Sequence, residues 1–113
     1  MEIIDKPIGK SRLMGMQEHY FGDMVKGVVD VEKGLLALDA ELHADLEQVL
    51  LEHGSSQKDL WGINFYPETE GDDFLEFDSL INIRPSQGNR SRGIEDAAIR
   101  KKIVDLVDSL IKA

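Results

Sequence analysis

The sequence predicts an α+β fold, in which a mainly antiparallel sheet of four strands carries its helices on one face. Two stretches, residues 25–42 and 60–84, alternate apolar and polar residues with the period of a strand and contain turn residues near their middles. Three other stretches repeat their apolar residues with the period of a helix. The resulting order α-β-β-α-β-β-α is typical of an antiparallel sheet with helices segregated to one side.

The first element is predicted to be a helix over residues 7–21. Pro7 suits a first helical turn, and Gly22 suits a stop at the C-terminal end. The apolar residues that recur at helical spacing are Leu13, Met16 and Tyr20.

Residues 25–42 are predicted to form a β-hairpin around a two-residue turn at 33–34. In that register Val29 lies opposite Leu38, and the apolar residues of both strands share one face. The other face is mostly polar. A three-residue turn would place Asp39 among the valines, so the two-residue turn is favoured.

A short helix over residues 45–53 is predicted to follow. Asp45 stands at its start with Gln48 three residues later, which is the spacing of a capping box, and Gly54 ends it. Its apolar face is formed by Leu46, Val49 and Leu50.

A second hairpin is predicted from a strand at 60–66 and a strand at about 75–84, joined by an acidic loop at 67–73. The apolar side chains that we expect on the core side are Trp61, Ile63, Phe65, Phe77, Ile81 and Ile83. The polar side chains that we expect on the opposite side are Asn64, Tyr66, Asn82 and Arg84.

The last element is predicted to be an amphipathic helix over residues 96–111. Its apolar stripe repeats with a period of about 3.6 residues. The stripe consists of Ile99, Ile103, Leu106, Val107 and Leu110.

Composition limits both the size and the chemistry of the protein. A chain of 113 residues with 42% hydrophobic and 31% charged residues fits one folded domain, expected to span 1–113. The absence of cysteine excludes disulfides, cysteine-ligated zinc and thiol catalysis. No secretion signal and no apolar stretch of about 20 residues is present, so we expect a cytoplasmic protein without a membrane partner.

The polar segment 84–93, between the second hairpin and the last helix, is the strongest candidate for a binding site. Arginine forks suit phosphate or carboxylate, glycines permit close backbone approach, and a helix N-terminus offers free amides. The segment matches neither a phosphate-binding Walker loop nor a dinucleotide fingerprint. The predicted ligand-binding residues are Arg84, Gln87, Asn89, Arg90 and Arg92 in the loop, with His43 and Asn82 beside it.

A purely structural role explains the same loop. Its arginines would then pair with some of the 22 acidic residues of the chain, and its Ser, Asn and Gln side chains would satisfy turn amides. The formal net charge of -9 also argues against nonspecific attraction to nucleic acid.

A second candidate site lies at 41–45, where strand geometry would place Glu41, His43 and Asp45 on one face. That spacing suits an acid and base pair or part of a metal site. Asp45 has a simpler role as a helix cap, and a metal needs three or more convergent ligands. We therefore assign neither a metal nor a cofactor.

These observations leave three classes of function open. The favoured class is a binding module that engages a phosphate-bearing small molecule, RNA or another anion through the loop from Arg84 to Arg92. The second class is a homodimeric interaction module that uses a sheet face or the last helix. The third is a hydrolase or metal-assisted enzyme that uses His43 and Glu41. A pocket shared by His43, Asn64, Asn82 and Arg84 would unite the binding and enzyme hypotheses.

Three stretches resemble a family of short prokaryotic proteins described as a domain of unknown function. They are Glu41-Leu-His-Ala-Asp45, Asp59-Leu-Trp-Gly-Ile-Asn-Phe-Tyr-Pro-Glu68, and Ser79-Leu-Ile-Asn-Ile-Arg-Pro-Ser-Gln-Gly-Asn-Arg-Ser91. The resemblance covers nearly the whole chain, and the third stretch is its most specific part. It implies a stand-alone bacterial or archaeal domain and brings no catalytic residues with it.

Overall fold

The computed structural model describes residues 1–113 as an α+β protein with three α-helices and seven short or medium strands. The elements are β1 (Glu2–Ile4), β2 (Ile8–Gly9), α1 (Lys10–Met16), β3 (Val25–Asp30), β4 (Leu35–Leu38), α2 (His43–Glu52), β5 (Leu60–Phe65), β6 (Leu75–Glu76), α3 (Ala97–Leu110) and β7 (Ile111–Lys112). Five strands form one antiparallel sheet in the order β1-β4-β3-β5-β6, and β2 pairs with β7 in parallel. None of the helices combines the length and the apolar composition needed to span a bilayer.

Helices cover both faces of the sheet, whereas the sequence predicted helices on one face. On the first face α1 and α3 pack against a core of 15 buried residues that includes Val29 and Ile63. On the second face α2 packs against a smaller core that includes Val28 and Leu60. The prediction was wrong because Val28 lies between Lys26 and Asp30 on its face of β3, so the alternation of residues indicated a polar face. That face nevertheless contains an apolar patch large enough to pack against one helix.

The main sheet also has five strands instead of the four predicted. The additional strand is β1, which pairs antiparallel with β4 at the edge. A strand of three residues is too short to show a period in the sequence.

The first hairpin forms from β3 and β4, but in a different register. Val29 lies opposite Leu36, two residues away from the predicted partner. The fully buried Asp30 accepts hydrogen bonds from the backbone N–H groups of Glu32 and Lys33, each at 2.9 Å, and so closes a longer turn. Because the shift is two residues, the side chains within β3 and β4 keep their predicted faces. Ala40 does not, because the chain turns at Asp39, whose φ is 75°, and places Ala40 in the smaller core on the other face.

The second hairpin is confirmed only in its first strand. β5 pairs with β6 over two residues, and the chain then leaves the sheet through a short 3-10 turn at Leu80–Asn82. There the Asn82 side chain makes the hydrogen bonds to β5 that a neighbouring strand would have made. Its Oδ1 accepts from the Gly62 N–H at 2.8 Å, and its Nδ2 donates to the Gly62 carbonyl at 2.9 Å. The predicted strand at 75–84 is therefore wrong beyond Glu76.

The helices differ from prediction at their ends, most of all α1, which stops at Met16 and continues as a 3-10 turn over Gln17–His19 instead of reaching residue 21. α1 begins after Pro7, because Ile8–Gly9 pairs with β7. α2 begins at His43, and no side chain caps it, so the predicted cap at Asp45 is wrong. α3 is confirmed, with Asp96 as a cap that accepts from the Ala98 N–H at 2.8 Å.

Candidate functional site

A cleft of about 560 Å³ opens beside the start of α2, on the sheet face that α2 covers. Its walls come from β3, β5, the first residues of α2 and the segment that follows β6. The polar side chains that define its chemistry are His43, Asn64, Tyr66, Glu76, Asp78 and Arg92. Its apolar walls are Met24, Leu42, Leu80 and Ile81.

His43 is the first residue of α2 and is buried beneath this cleft, with 7% of its surface exposed. Its Nε2 lies 2.9 Å from the carbonyl oxygen of Ile63. Because a carbonyl can only accept, Nε2 carries the proton, and Nδ1 of the neutral ring is an acceptor. Burial lowers the pKa of His43, although the hydrogen bond to Ile63 opposes the shift.

Asn64 contributes a second buried polar group from β5, with 4% of its surface exposed. Its Nδ2 donates to Oε1 of Glu76 at 2.8 Å and to the carbonyl oxygen of Asp78 at 3.0 Å. Both partners are pure acceptors, so the amide cannot turn over without losing both bonds. Its Oδ1 is consequently left buried without a donor, which is costly in a protein interior.

Tyr66 and Glu76 extend this network along one wall. The Tyr66 hydroxyl donates to Oε1 of Glu76 at 3.2 Å, so this oxygen accepts from both Tyr66 and Asn64. Burial raises the pKa of Tyr66, and the Glu76 carboxylate raises it further. The phenol therefore stays a hydrogen-bond donor at neutral pH.

Arg92 supplies a cationic group to the cleft. Its Nε donates to Oδ1 of Asp78 at 2.7 Å, whereas its two terminal nitrogens make no hydrogen bond. Half of the side chain is exposed. Lys26, whose ammonium lies 4.9 Å from the centre of the Phe21 ring, adds a second cation to the lining. Both positive groups thus have free donors.

Arg84, by contrast, lies outside the cleft and holds the fold together. Its guanidinium carbon is 4.1 Å from the centre of the Trp61 ring, and its terminal nitrogens donate to the carbonyl oxygens of Gln57 and Leu60. Burial lowers the pKa of Arg84, and the charge of Glu47 opposes that shift. Its terminal donors are engaged by backbone carbonyls, whereas its Nε is buried without a hydrogen-bond partner. Arg84 is therefore a structural residue that packs on Trp61.

The other amide residues of the loop are also engaged in the fold. The Asn89 side chain donates to the carbonyl oxygens of Asn82, Ser91 and Gly93 and accepts from the N–H of Glu95. Asn82 pairs with the backbone of β5, as described above, and donates to the carbonyl oxygen of Arg92 at 3.0 Å. The exposed Gln87 donates to the carbonyl oxygen of Lys58 at 3.1 Å.

Arg90 lies on the surface, and its side chain makes no hydrogen bond or ion pair. Its backbone N–H and that of Ser91 both donate to one carboxylate oxygen of Glu95. These two loop amides are therefore occupied by a carboxylate of the chain itself, and at the helix N-terminus, where the sequence predicted free amides, the N–H of Ala98 donates to Asp96.

Of the predicted site residues, the structure brings together two in the cleft, His43 and Arg92. Asn64 joins them, but Asn82 and Arg84 do not line the cleft, so the expected composite pocket forms only in part. Glu41 is exposed and lines no part of it. No group of three or more side chains is arranged to hold a metal ion.

Most of the lining residues were absent from the predicted site, among them the titratable side chains of Lys26, Tyr66, Glu76 and Asp78. A signal for some of them was present, since Tyr66 shares the polar face of β5 with Asn64. Glu76 and Asp78 have the period-two spacing of side chains on one strand face.

Comparison with known proteins agrees with the motif resemblance. No curated protein and no solved structure matches the chain. The family model described as "Protein of unknown function (DUF5674)" matches residues 2–110, which is almost the entire sequence. The chain therefore belongs to the DUF5674 family of proteins of unknown function.

Proposed function

We propose that the chain is a binding module for a small ligand that carries an anionic group, and that the ligand occupies the cleft beside His43. One observation carries the proposal: the cleft gathers Arg92, with two unused terminal nitrogens, and Lys26 beside buried polar groups. A planar guanidinium with free donors suits a carboxylate, sulfonate or phosphate.

The cleft walls support an apolar body attached to that anion. Leu42 is 53% exposed and Leu80 is 67% exposed, and both line the cleft. Ligand sites commonly combine apolar walls with a few placed polar groups. The favoured ligand class is therefore a small aromatic or aliphatic compound with one acidic group.

A small ligand is favoured over RNA because the basic groups are not collected on one surface. Arg84 is engaged by Trp61 and backbone carbonyls, and Arg92 shares its cleft with Glu76 and Asp78. The net charge of -9 further weakens long-range attraction to a polyanion. Two lining carboxylates would repel a continuous phosphate backbone but leave room for one anion beside Arg92.

The test uses benzenesulfonate, which joins an apolar ring to an anion that does not titrate near neutral pH. Its addition should shift the backbone amide NMR signals of residues 42–44, 64–66 and 78–80. Arg92→Ala should weaken this binding about tenfold, as expected for loss of a charged hydrogen bond. Arg90→Ala is the matched control, because Arg90 is exposed and does not line the cleft.

The proposal would be abandoned if benzenesulfonate left those amides unshifted at millimolar concentration. It would also be abandoned if Arg90→Ala and Arg92→Ala weakened binding equally, because that pattern would indicate nonspecific attraction to surface charge.

The exposed leucines also favour a second candidate function, a homodimeric interaction module. Leu42 and Leu80 present apolar surface on either side of the cleft, as an interface between copies would require. Light scattering at increasing protein concentration, repeated with Leu80→Ser, tests this alternative. A mass that stays monomeric for both proteins would exclude it.

A further inference from the structure

We infer that anion binding in the cleft is coupled to uptake of one proton by His43, and that the buried Oδ1 of Asn64 accepts the new N–H. The inference rests on the proposed function, because it concerns the anion held beside Arg92. The proton comes from solvent, adds to the free ring nitrogen of His43, and returns to solvent when the anion leaves.

The tautomer of His43 defines where that proton goes. Nε2 already donates to the carbonyl oxygen of Ile63 at 2.9 Å, so only Nδ1 is open. In the neutral ring Nδ1 presents a lone pair, which cannot satisfy an amide oxygen. In the charged ring both nitrogens are donors.

Asn64 offers an acceptor for the new N–H of His43. Its Nδ2 is held by Glu76 and by the carbonyl oxygen of Asp78, which fixes the orientation of the amide. Its Oδ1 has no donor in the structure, in a residue that is 4% exposed. Burial lowers the pKa of His43, and the interaction with Asn64 opposes that shift, because a hydrogen bond to its amide oxygen is open only to the charged ring.

The surrounding charges explain why a bound anion would favour the protonated form of His43. Lys26 on β3 lowers the pKa of His43 in addition to burial, whereas Asp78 raises it. The formal charges of Lys26, Arg92, Glu76 and Asp78 in the cleft lining sum to zero. A bound anion would make the cleft net negative, so the imidazolium form of His43 would become less costly.

Linkage gives the expected size of the effect. A new opposite charge within about 4–6 Å raises a pKa by about 1 unit or more. A rise of about 1 unit means that the anion binds about tenfold more tightly to the protein with charged His43 than to the protein with neutral His43. Affinity should therefore increase as pH falls through the pKa of His43.

The experiment follows all three imidazoles of the chain by NMR across pH, with and without saturating benzenesulfonate. The His43 pKa should rise by about 1 unit. The NMR signals of His19 and His53, which are exposed and do not line the cleft, serve as the internal control. Benzenesulfonamide is the matched neutral probe, and it should leave the His43 pKa where it was. Calorimetry in two buffers with different ionisation enthalpies should report proton uptake only with the sulfonate.

The outcomes separate this inference from the function on which it rests. If benzenesulfonate shifts the cleft amides and Arg92→Ala weakens it, but the His43 pKa and the proton count do not change, the inference is overturned and the binding proposal stands. If benzenesulfonate does not bind, both are overturned.

Two variants locate the coupling in the His43 and Asn64 pair. His43→Gln should bind benzenesulfonate with an affinity that does not depend on pH between 5 and 8. Asn64→Ala should keep the binding but reduce the rise in the His43 pKa, because the charged ring then lacks its acceptor. Amide spectra confirm the fold of each variant, and if either fails to fold, the titration of the unsubstituted protein decides.

Discussion

His43 and Ile63 are joined by a hydrogen bond of 2.9 Å from the imidazole to a backbone carbonyl, which ties the first residue of α2 to β5. The bond fixes the imidazole tautomer, anchors a helix that lacks a side-chain cap, and forms the floor of the cleft. Stability and the proposed binding therefore depend on the same residue.

Replacing His43 with Ala should lower the free energy of unfolding by about 1–3 kcal/mol, the cost of leaving a buried acceptor without its partner. Urea denaturation followed by circular dichroism measures the change. His53→Ala is the control, because His53 is exposed at the end of α2 and should show no measurable effect. Equal losses in the two variants would contradict the assigned role of the Ile63 bond.

The stability of the protein should also fall at mildly acidic pH. Since the pKa of His43 is lowered in the folded state from its ordinary value of 6.5, the unfolded chain binds the proton more readily. Stability is then unaffected above about pH 6.5 and declines as pH falls towards the folded pKa. Urea midpoints between pH 7.5 and pH 5 should show this decline, and it should be smaller in His43→Gln than in the unsubstituted protein.

Gly62→Ala should be strongly destabilising, because an added Cβ would lie 2.5 Å from the Cβ of Ser79. The cost should exceed about 2 kcal/mol, since overpacking here would also disturb the bonds from Asn82. Gly15→Ala is the matched control, because nothing lies within 4 Å of the new Cβ in α1. That change should stabilise the protein by about 0.5–1 kcal/mol, and thermal unfolding of both variants checks the opposite signs.

The sequence predicted those parts of the fold that depend on periodicity. The stripe of α3 and the inward side chains of β5 repeat often enough to fix both element and face. The register of β3 and β4 was not predictable from face consistency, because a shift of two residues leaves every face unchanged. The register is determined by the buried carboxylate of Asp30, which accepts hydrogen bonds from the backbone N–H groups of the turn. The pattern of apolar residues contains no information about these bonds.

The site was predicted less well for a related reason. Residue type marked Arg84 and Asn89 as ligand-binding side chains, but the same hydrogen-bonding capacity serves the backbone, and in the structure their partners are carbonyl groups. Only the irregular path of the chain after β6 brings Arg92 to His43. Such a path follows from individual contacts such as those of Asn82, and a sequence pattern does not express them.

The carboxylate of Glu95 supplies the last prediction, since it occupies the backbone amides of Arg90 and Ser91. Glu95→Ala should lower the unfolding free energy by less than about 1 kcal/mol, because the bonds are exposed to solvent. Millimolar sulfate should restore part of that loss by binding the vacated amides. The measurement is made in an Arg92→Ala background, so that sulfate bound in the cleft does not contribute to it. If sulfate raised the melting temperature equally with and without Glu95, the loop would not be an anion cradle, and its polar residues would serve the fold alone.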